Sequence, residues 1–427
     1  MRRLAVQIEI NGNNVYVGDI VGNDSSDACF AYSEKYLANS ENRAISISLP
    51  LEKGNFSAIE TRNFFEGLLP EGFTRRCVAA WMHADETDYL SILAGLGNEC
   101  LGVIKILDEN NLLIMPEYRL LSDLEVADLA REGATESAQL VTKAHLSLTG
   151  ASGKVGLYYD SPKKQWYLPM GEAPSTHIVK QSHVRLKRIV ANEQLCLLTA
   201  KKLGIEIPDS FIIDMGNTAD ENILFATKRY DRKENTTGKT LNGLKVPYRL
   251  HQEDFAQALG IPAANKYEKN HEHYLGKLFD LLKNYSSDPI ADQLKLWDVC
   301  VFNYLVGNTD NHIKNLSLLY GEDLKSIRLA PAYDIISTMI YESSTENMAL
   351  SIGGIYGINQ IGRNEFKEEA SMLGLGSSIA MKHFDALAAG FEKAVCQAKE
   401  ELKEQGFQDI DVIAQQILKK GAINKYL

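Results

Sequence analysis

The chain has 427 residues, 45% hydrophobic and 24% charged, proportions that exclude disorder over the whole length. Lys and Arg number 45 against 56 Asp and Glu, a net charge of -11, which excludes coating nucleic acid by bulk charge and leaves DNA contact to a local patch or a basic partner. At about 100–200 residues per domain the length predicts two or three domains, and no apolar run approaches the ~20 residues of a membrane-spanning helix.

Leu4, Val6, Ile8 and Ile10 alternate with other residues, and Glu9 interrupts any apolar core; this is a strand rather than a signal peptide. With the turn at Asn11-Gly12-Asn13-Asn14 and residues 15–17 it predicts a β-hairpin. Residues 44–51 alternate through Ile45, Ile47 and Leu49 and predict another strand; 60–82 read as helix interrupted by Pro70-Glu71-Gly72. Residues 101–107 read as a strand closing a first α/β module, 1–110. The stretch 111–140, with polar helical text at 122–137, reads as a connector.

From 141 to 250 the text is strand-rich, with strands at 155–159, 165–168, 176–180, 210–214 and 223–230 and one helix at 190–203 stopped by Gly204. From 251 to 427 it is helical, at 274–284, 290–306 and 381–405. The expected architecture is α+β: a β-rich lobe, then an all-α lobe, preceded by a separate α/β module. Cys29, Cys77, Cys100, Cys196, Cys300 and Cys396 are scattered without a Cys-x-x-Cys pair, which predicts free thiols in a reducing cytosol rather than a structural zinc site.

The stretch richest in chemistry is Gly307-Asn308-Thr309-Asp310-Asn311-His312-Ile313-Lys314-Asn315, a polar loop breaking a long apolar helix. Asp310 and Asn315 keep the Asp-x-x-x-x-Asn interval by which protein kinases place a base and a magnesium ligand, and Asp334 follows beyond a predicted hairpin in an apolar setting. Carboxylate and amide oxygens are what a hard cation holding phosphates requires. Alone, and without the usual His-Arg before the Asp, the pattern reads as a capped helix end and a turn. The loop 145–154 contains Ser147, Gly150, Ala151 and Gly153 before Lys154; small residues let backbone N–H groups approach phosphates, although the Walker pattern is absent and a surface turn has the same composition. Lys180 ends an apolar strand and Glu193 lies on the next helix, the order in which a kinase strand lysine and its orienting glutamate occur, or simply a strand-end lysine. Loop, strand Lys, helix Glu, Asp-x-x-x-x-Asn and a further Asp, in that order, point to an ATP-dependent phosphotransferase.

At these residues the chain resembles the HipA family of serine/threonine kinases, the toxins of toxin–antitoxin modules. The resemblance runs through Asn63-Phe64-Phe65-Glu66-Gly67-Leu68-Leu69-Pro70-Glu71-Gly72, Ser147-Leu148-Thr149-Gly150-Ala151, Thr176-His177-Ile178-Val179-Lys180, Arg229-Tyr230-Asp231-Arg232, Leu250-His251-Gln252-Glu253-Asp254-Phe255 and Tyr333-Asp334-Ile335-Ile336-Ser337. It implies a bilobal protein-kinase-like fold with an additional N-terminal subdomain, and ATP and Mg2+ as cofactors. It implies Asp310 as catalytic base and Asn315 and Asp334 as magnesium ligands. Lys180, Gln252, His312, Gly150 and Ala151 would serve the nucleotide phosphates, and Lys228, Tyr230 and Tyr333 the rest of the ATP site. Ser147 matches a serine whose autophosphorylation silences the family's enzymes. The implied partners are a protein substrate such as an aminoacyl-tRNA synthetase and a HipB-like helix-turn-helix antitoxin dimer, through which DNA is reached, in the cytoplasm with no membrane. The sequence departs from the best-known member at Ser152-Gly153 and at Asn311, neither of them a phosphate or metal ligand. A small-molecule phosphotransferase, which would lack this N-terminal module, and a catalytically silent co-repressor are the alternatives.

Overall fold

A computed structural model describes the chain outside residues 52–53, 98, 109–114, 133–139, 141–152 and 183–185. Ser147, Gly150 and Ala151 lie outside the described residues. The rest forms two compact units: Met1–His183 with Ile213–Ala263 and Leu319–Ser326, and Val184–Ile212 with Ala264–Leu318 and Ile327–Leu427.

The first unit begins with the expected hairpin. Strands β1 (Arg2–Ile10) and β2 (Asn13–Gly22) pair antiparallel. Asn11 and Gly12 turn with φ of 50° and 78°, the double left-handed geometry matching strand twist in a two-residue loop. Strands β3 (Cys29–Tyr32) and β4 (Ile104–Asp108) complete a sheet in the order β3-β2-β1-β4. Leu4, Val6 and Ile8 are buried, as their alternation requires, with Phe30, Phe64 and Phe65. The helix Ala58–Phe65 starts from a Ser57 capping box, and Gly72–Trp81 follows the Pro70 break. The strand expected at 44–51 is absent: only an isolated bridge, Ser46 to Leu49, forms. The Glu253 carboxylate accepts the Ile47 N–H (3.1 Å) and the Ser46 hydroxyl (2.5 Å), so donors that a neighbouring strand would satisfy are already used.

A second sheet runs β5-β7-β6-β8-β10-β9, from β5 (Glu117–Leu120), β6 (Lys154–Asp160), β7 (Gln165–Met170), β8 (His177–Gln181), β9 (Ser210–Asp214) and β10 (Ile223–Lys228). The described part of the presumed connector belongs to this layer. Strand β5 pairs with β7, and the helix Asp123–Glu132 packs on β8 and β10 with Val126, Leu129 and Ala130 buried. Its polar outer face hides from the sequence that four buried residues, Ala127 being the fourth, suffice to dock it.

In the second unit the helix Ile189–Lys202 is buried along most of its length against the long helix Ser377–Glu404. The helix Pro289–Val306 starts at the Asp288 cap with Pro in its first turn and ends at Gly307, φ 77°. Trp297, Phe302, Tyr304, Phe366, Phe384 and Phe391 form the core beside it; the Trp297 Nε1–H donates to the Ala380 carbonyl (2.9 Å). The predicted all-α C-terminal half also carries short strands. Asn347–Ile352 and Ile355–Gly357 make a hairpin around Gly353 and Gly354, both at positive φ. The Ala330 N–H, beyond Ile327–Leu329, donates to the Ser317 carbonyl (2.9 Å).

Candidate active site

The candidate residues divide between the units. Asp310, His312, Asn315, Tyr333 and Asp334 belong to the second; Lys180, Lys228, Tyr230 and Gln252 belong to the first.

In the second unit the polar loop is built on the end of the Pro289–Val306 helix. Gly307 is at positive φ, and a Cβ there would lie 3.1 Å from the Gly421 Cα and the Met339 Cβ, so the position requires glycine twice over. Its carbonyl accepts the Thr338 and Met339 N–H groups at 2.9 and 3.0 Å. Next, the Asn308 amide donates to Asn303 Oδ1 (2.7 Å), while its own Oδ1 receives the Asp310 N–H (3.0 Å). Thr309 shares its hydroxyl with Thr338 (2.7 Å). The Asn315 Nδ2 donates to the Asp310 carbonyl (3.1 Å). That bond closes the five-residue interval into a ring and makes Oδ1 the Asn315 atom left to coordinate a cation. Asp310 is half-buried, and its Oδ1 accepts the Tyr267 hydroxyl (2.7 Å). The His312 ring meets the Tyr267 ring edge-on, 5.2 Å between centroids.

Asp334 is half-buried with φ 57°. A non-glycine residue held left-handed costs roughly 1–2 kcal/mol, strain that surrounding structure must impose. Here the flanks impose it. Upstream, the Tyr333 hydroxyl donates to the Lys314 carbonyl (3.1 Å) and bonds Ser317 Oγ (2.6 Å). Downstream, Asn192 from the Ile189–Lys202 helix clasps the Ser337 backbone, amide to carbonyl and carbonyl to N–H, at 3.0 and 3.1 Å. An Asn amide and an Asp carboxylate fit a magnesium ion that keeps phosphate and water in its remaining positions. Among the described residues no group of three His, Cys, Asp or Glu is arranged for a metal.

In the first unit Lys180 is buried on β8, between β6 and β10, its ammonium over the Phe225 ring at 5.4 Å. Lys228 ends β10 exposed, opposite His177. The Tyr230 hydroxyl bonds Gln252, whose Nε2 donates to Asp231 (3.1 Å). These groups rest on a buried ion cluster that sequence reasoning missed. Arg229 chelates Asp231 at 2.9 and 2.7 Å and reaches Glu99 at 3.3 Å; Arg232 pairs with Glu99 and Asp231. The Asp231 carboxylate also accepts the Gly102 N–H (2.9 Å). Arg249 pairs with Glu9, and Lys105 with Glu9 and Glu172 at 3.3 and 2.9 Å. Burial works against each carboxylate's charge, yet Arg249 and Lys105 hold Glu9 down to about 2. Arg229 and Arg232 likewise keep Asp231 far below the carboxylate range. Beside the cluster, burial pushes the Glu253 carboxyl up to about 7 against the donors it accepts. Burial also holds His251 neutral, down to about 4, its Nε2 on the Ile45 carbonyl at 2.8 Å.

The structure thus brings Asp310, His312 and Asn315 into one loop, with Asp334 and Tyr333 on a segment tied to it through Thr338 and Lys314. Tyr267 is the neighbour of Asp310 that the sequence did not offer, because no local pattern links it to a loop so far downstream.

The family model for the HipA N-terminal domain matches residues 8–107, and that for the HipA-like C-terminal domain matches 146–398. A putative kinase of Sinorhizobium fredii is 30% identical, covering 91% of this chain and 90% of its own length. The serine/threonine-protein kinase toxin HipA of Shewanella oneidensis is 23% identical, covering 91% and 88%. The solved complex of Shewanella oneidensis HipA with HipB and operator DNA matches 99% of this chain and 97% of its own, with TM-score 0.78 and 21% identity. The C-terminal match alone covers more than half the chain and the Sinorhizobium relative nearly all of it, so this protein belongs to the HipA family of serine/threonine kinases, the toxins of toxin–antitoxin systems.

Proposed function

We propose that the chain transfers the γ-phosphoryl group of ATP to a serine of a protein acceptor, with Asp310 as base, Asn315 and Asp334 as magnesium ligands, and Lys180, Gln252, His312, Gly150 and Ala151 on the phosphates. Lys228, Tyr230 and Tyr333 serve the rest of the nucleotide. One observation carries the reading most directly: a half-buried carboxylate at Asp310 in a loop whose Asn315 is pinned to the Asp310 carbonyl. Asp310 takes the seryl proton as that oxygen bonds to the γ-phosphorus and the bond to ADP breaks. Magnesium, when bound, neutralises the phosphate charge. Little covalent work falls to the protein, so positioning and charge neutralisation set the rate.

In the same reading the acceptor is a translation component such as an aminoacyl-tRNA synthetase, and the protein works in the cytoplasm, away from membranes, as a toxin. Phosphate on Ser147 would add about -1.5 to -2 charges beside the ATP phosphates and repel them. A HipB-like antitoxin dimer silences the enzyme and links it to DNA, as HipB accompanies HipA on operator DNA in the Shewanella complex. A chain of net charge -11 suits a basic partner. The match at 8–107 favours this over a small-molecule phosphotransferase.

Asp310→Asn is expected to keep the fold and nucleotide affinity while turnover falls about 10²–10⁴-fold, the range of a positioned base; a wild-type rate removes Asp310 from that role. Asp334→Asn is expected to weaken ATP binding in calorimetry only when magnesium is present. Equal affinities at every magnesium concentration contradict its assignment.

A further inference from the structure

A cleft of about 420 Å3 opens in the second unit beside Asp310, between residues 267–270 and the start of the Asn347–Ile352 strand. Tyr267 and Thr309 wall it on the side of the loop, Met348 and Ala349 give it a buried apolar floor, and exposed Lys269 and Asn347 stand at its rim. The wall is fastened to the floor: the Glu268 N–H donates to the Ala349 carbonyl (3.0 Å), and the Glu268 carboxylate accepts the Ser351 N–H (3.0 Å) and hydroxyl (2.8 Å). Tyr267 is therefore held at its backbone, edge-on to His312, and under the Lys266 ammonium at 5.5 Å. Its hydroxyl reaches one oxygen of Asp310 at 2.7 Å.

We propose that Tyr267 is a positioning residue for Asp310 and that the cleft it walls seats the polypeptide flanking the acceptor serine. The inference rests on Asp310 being the base. A phenol donating to one carboxylate oxygen restrains the rotation of the group. Tyr267, bonded to that carboxylate, and Thr309, next to it in the chain, both line the cleft, whose volume holds one or two side chains. An apolar floor takes an apolar residue next to the serine, and the Lys269 ammonium at the rim favours an acidic one beyond it.

The test uses the full chain, magnesium-ATP and a serine-centred peptide library with randomised flanks. Tyr267→Phe keeps the ring and its contacts, and is expected to lower kcat about ten-fold with the KM values of ATP and peptide within two-fold of wild type. Asn347→Trp fills the cleft at its exposed rim, and is expected to raise the peptide KM at least ten-fold with the ATP KM unchanged. A structural role alone would not separate kcat from KM in this way. Asp310→Asn is run alongside. If it collapses while Tyr267→Phe is normal, Asp310 stands and the Tyr267 proposal falls. If it retains the wild-type rate, the base assignment itself falls. An unchanged peptide KM in Asn347→Trp, or no transfer to any peptide while ATP still binds, overturns the cleft.

Discussion

The Asp310 loop of the second unit and the ion cluster of the first hold their side chains in opposite ways. In the Asp310 loop neutral side chains tie the backbone: Asn303, Asn308, Thr309, Thr338 and Asn315 bond to one another and to backbone groups. Under Tyr230 and Gln252 the supports are charged: Glu9, Glu99, Glu172 and Asp231 meet Arg229, Arg232, Arg249 and Lys105, four against four. Neutral hydrogen bonds fix the course of the loop through its backbone. Matched charges instead lock residues from 9 to 249 into one joint, where a lost partner leaves an ion stranded in low dielectric.

The contrast predicts opposite phenotypes. Arg229→Ala leaves two buried carboxylates, Asp231 and Glu99, sharing Arg232 and should cost about 3–5 kcal/mol, read as an earlier midpoint in denaturant unfolding, whereas Asp310→Asn should leave the midpoint in place. A loss under 1 kcal/mol in Arg229→Ala would mean that the cluster does not hold the joint.

Glu253 sharpens the comparison through pH. Its carboxyl is raised from 4.5 to about 7, so the folded state keeps a proton that the unfolded chain releases. Stability from this group is full below about 4.5 and declines as pH rises towards about 7, by on the order of 3 kcal/mol. Glu9, held down to about 2, acts the other way: its contribution is present above about 4.5 and is lost as pH falls through about 2. Glu253→Gln should flatten the decline between pH 5 and 7 in a series of unfolding curves and leave the acid limb unchanged. A decline that persists in the variant assigns it to another group.

The smallest effect is expected at Gly307. Gly307→Ala forces a Cβ into left-handed backbone 3.1 Å from Gly421 and should cost about 1–2 kcal/mol. Turnover should fall as well, since the Asp310 loop starts there. Full stability together with full activity would show that the helix end does not position the loop.

Local chemistry explains what was legible in the sequence. The Asn11-Gly12 turn, the alternation of Leu4, Val6 and Ile8, and the Pro289 to Gly307 helix each depend on near neighbours, and each stands in the structure. The alternation at Ile45, Ile47 and Leu49 misled because Glu253, some two hundred residues away, takes the Ile47 N–H that a strand would have paired. The ordered motifs made Asp310, Asn315 and Asp334 visible as a set. Their supports were not visible: Tyr267, the Asn192 clasp on Ser337, and Glu99 under Arg229 are contacts across long separations, with no spacing to betray them.

The most direct test of the account is intact-mass and peptide mass spectrometry of the purified chain after incubation with magnesium and ATP, wild type beside Asp310→Asn. The account predicts one added phosphate on wild type only, mapped to Ser147. Phosphate on both proteins, or on neither while nucleotide still binds, would contradict a kinase that works through Asp310 and silences itself at Ser147.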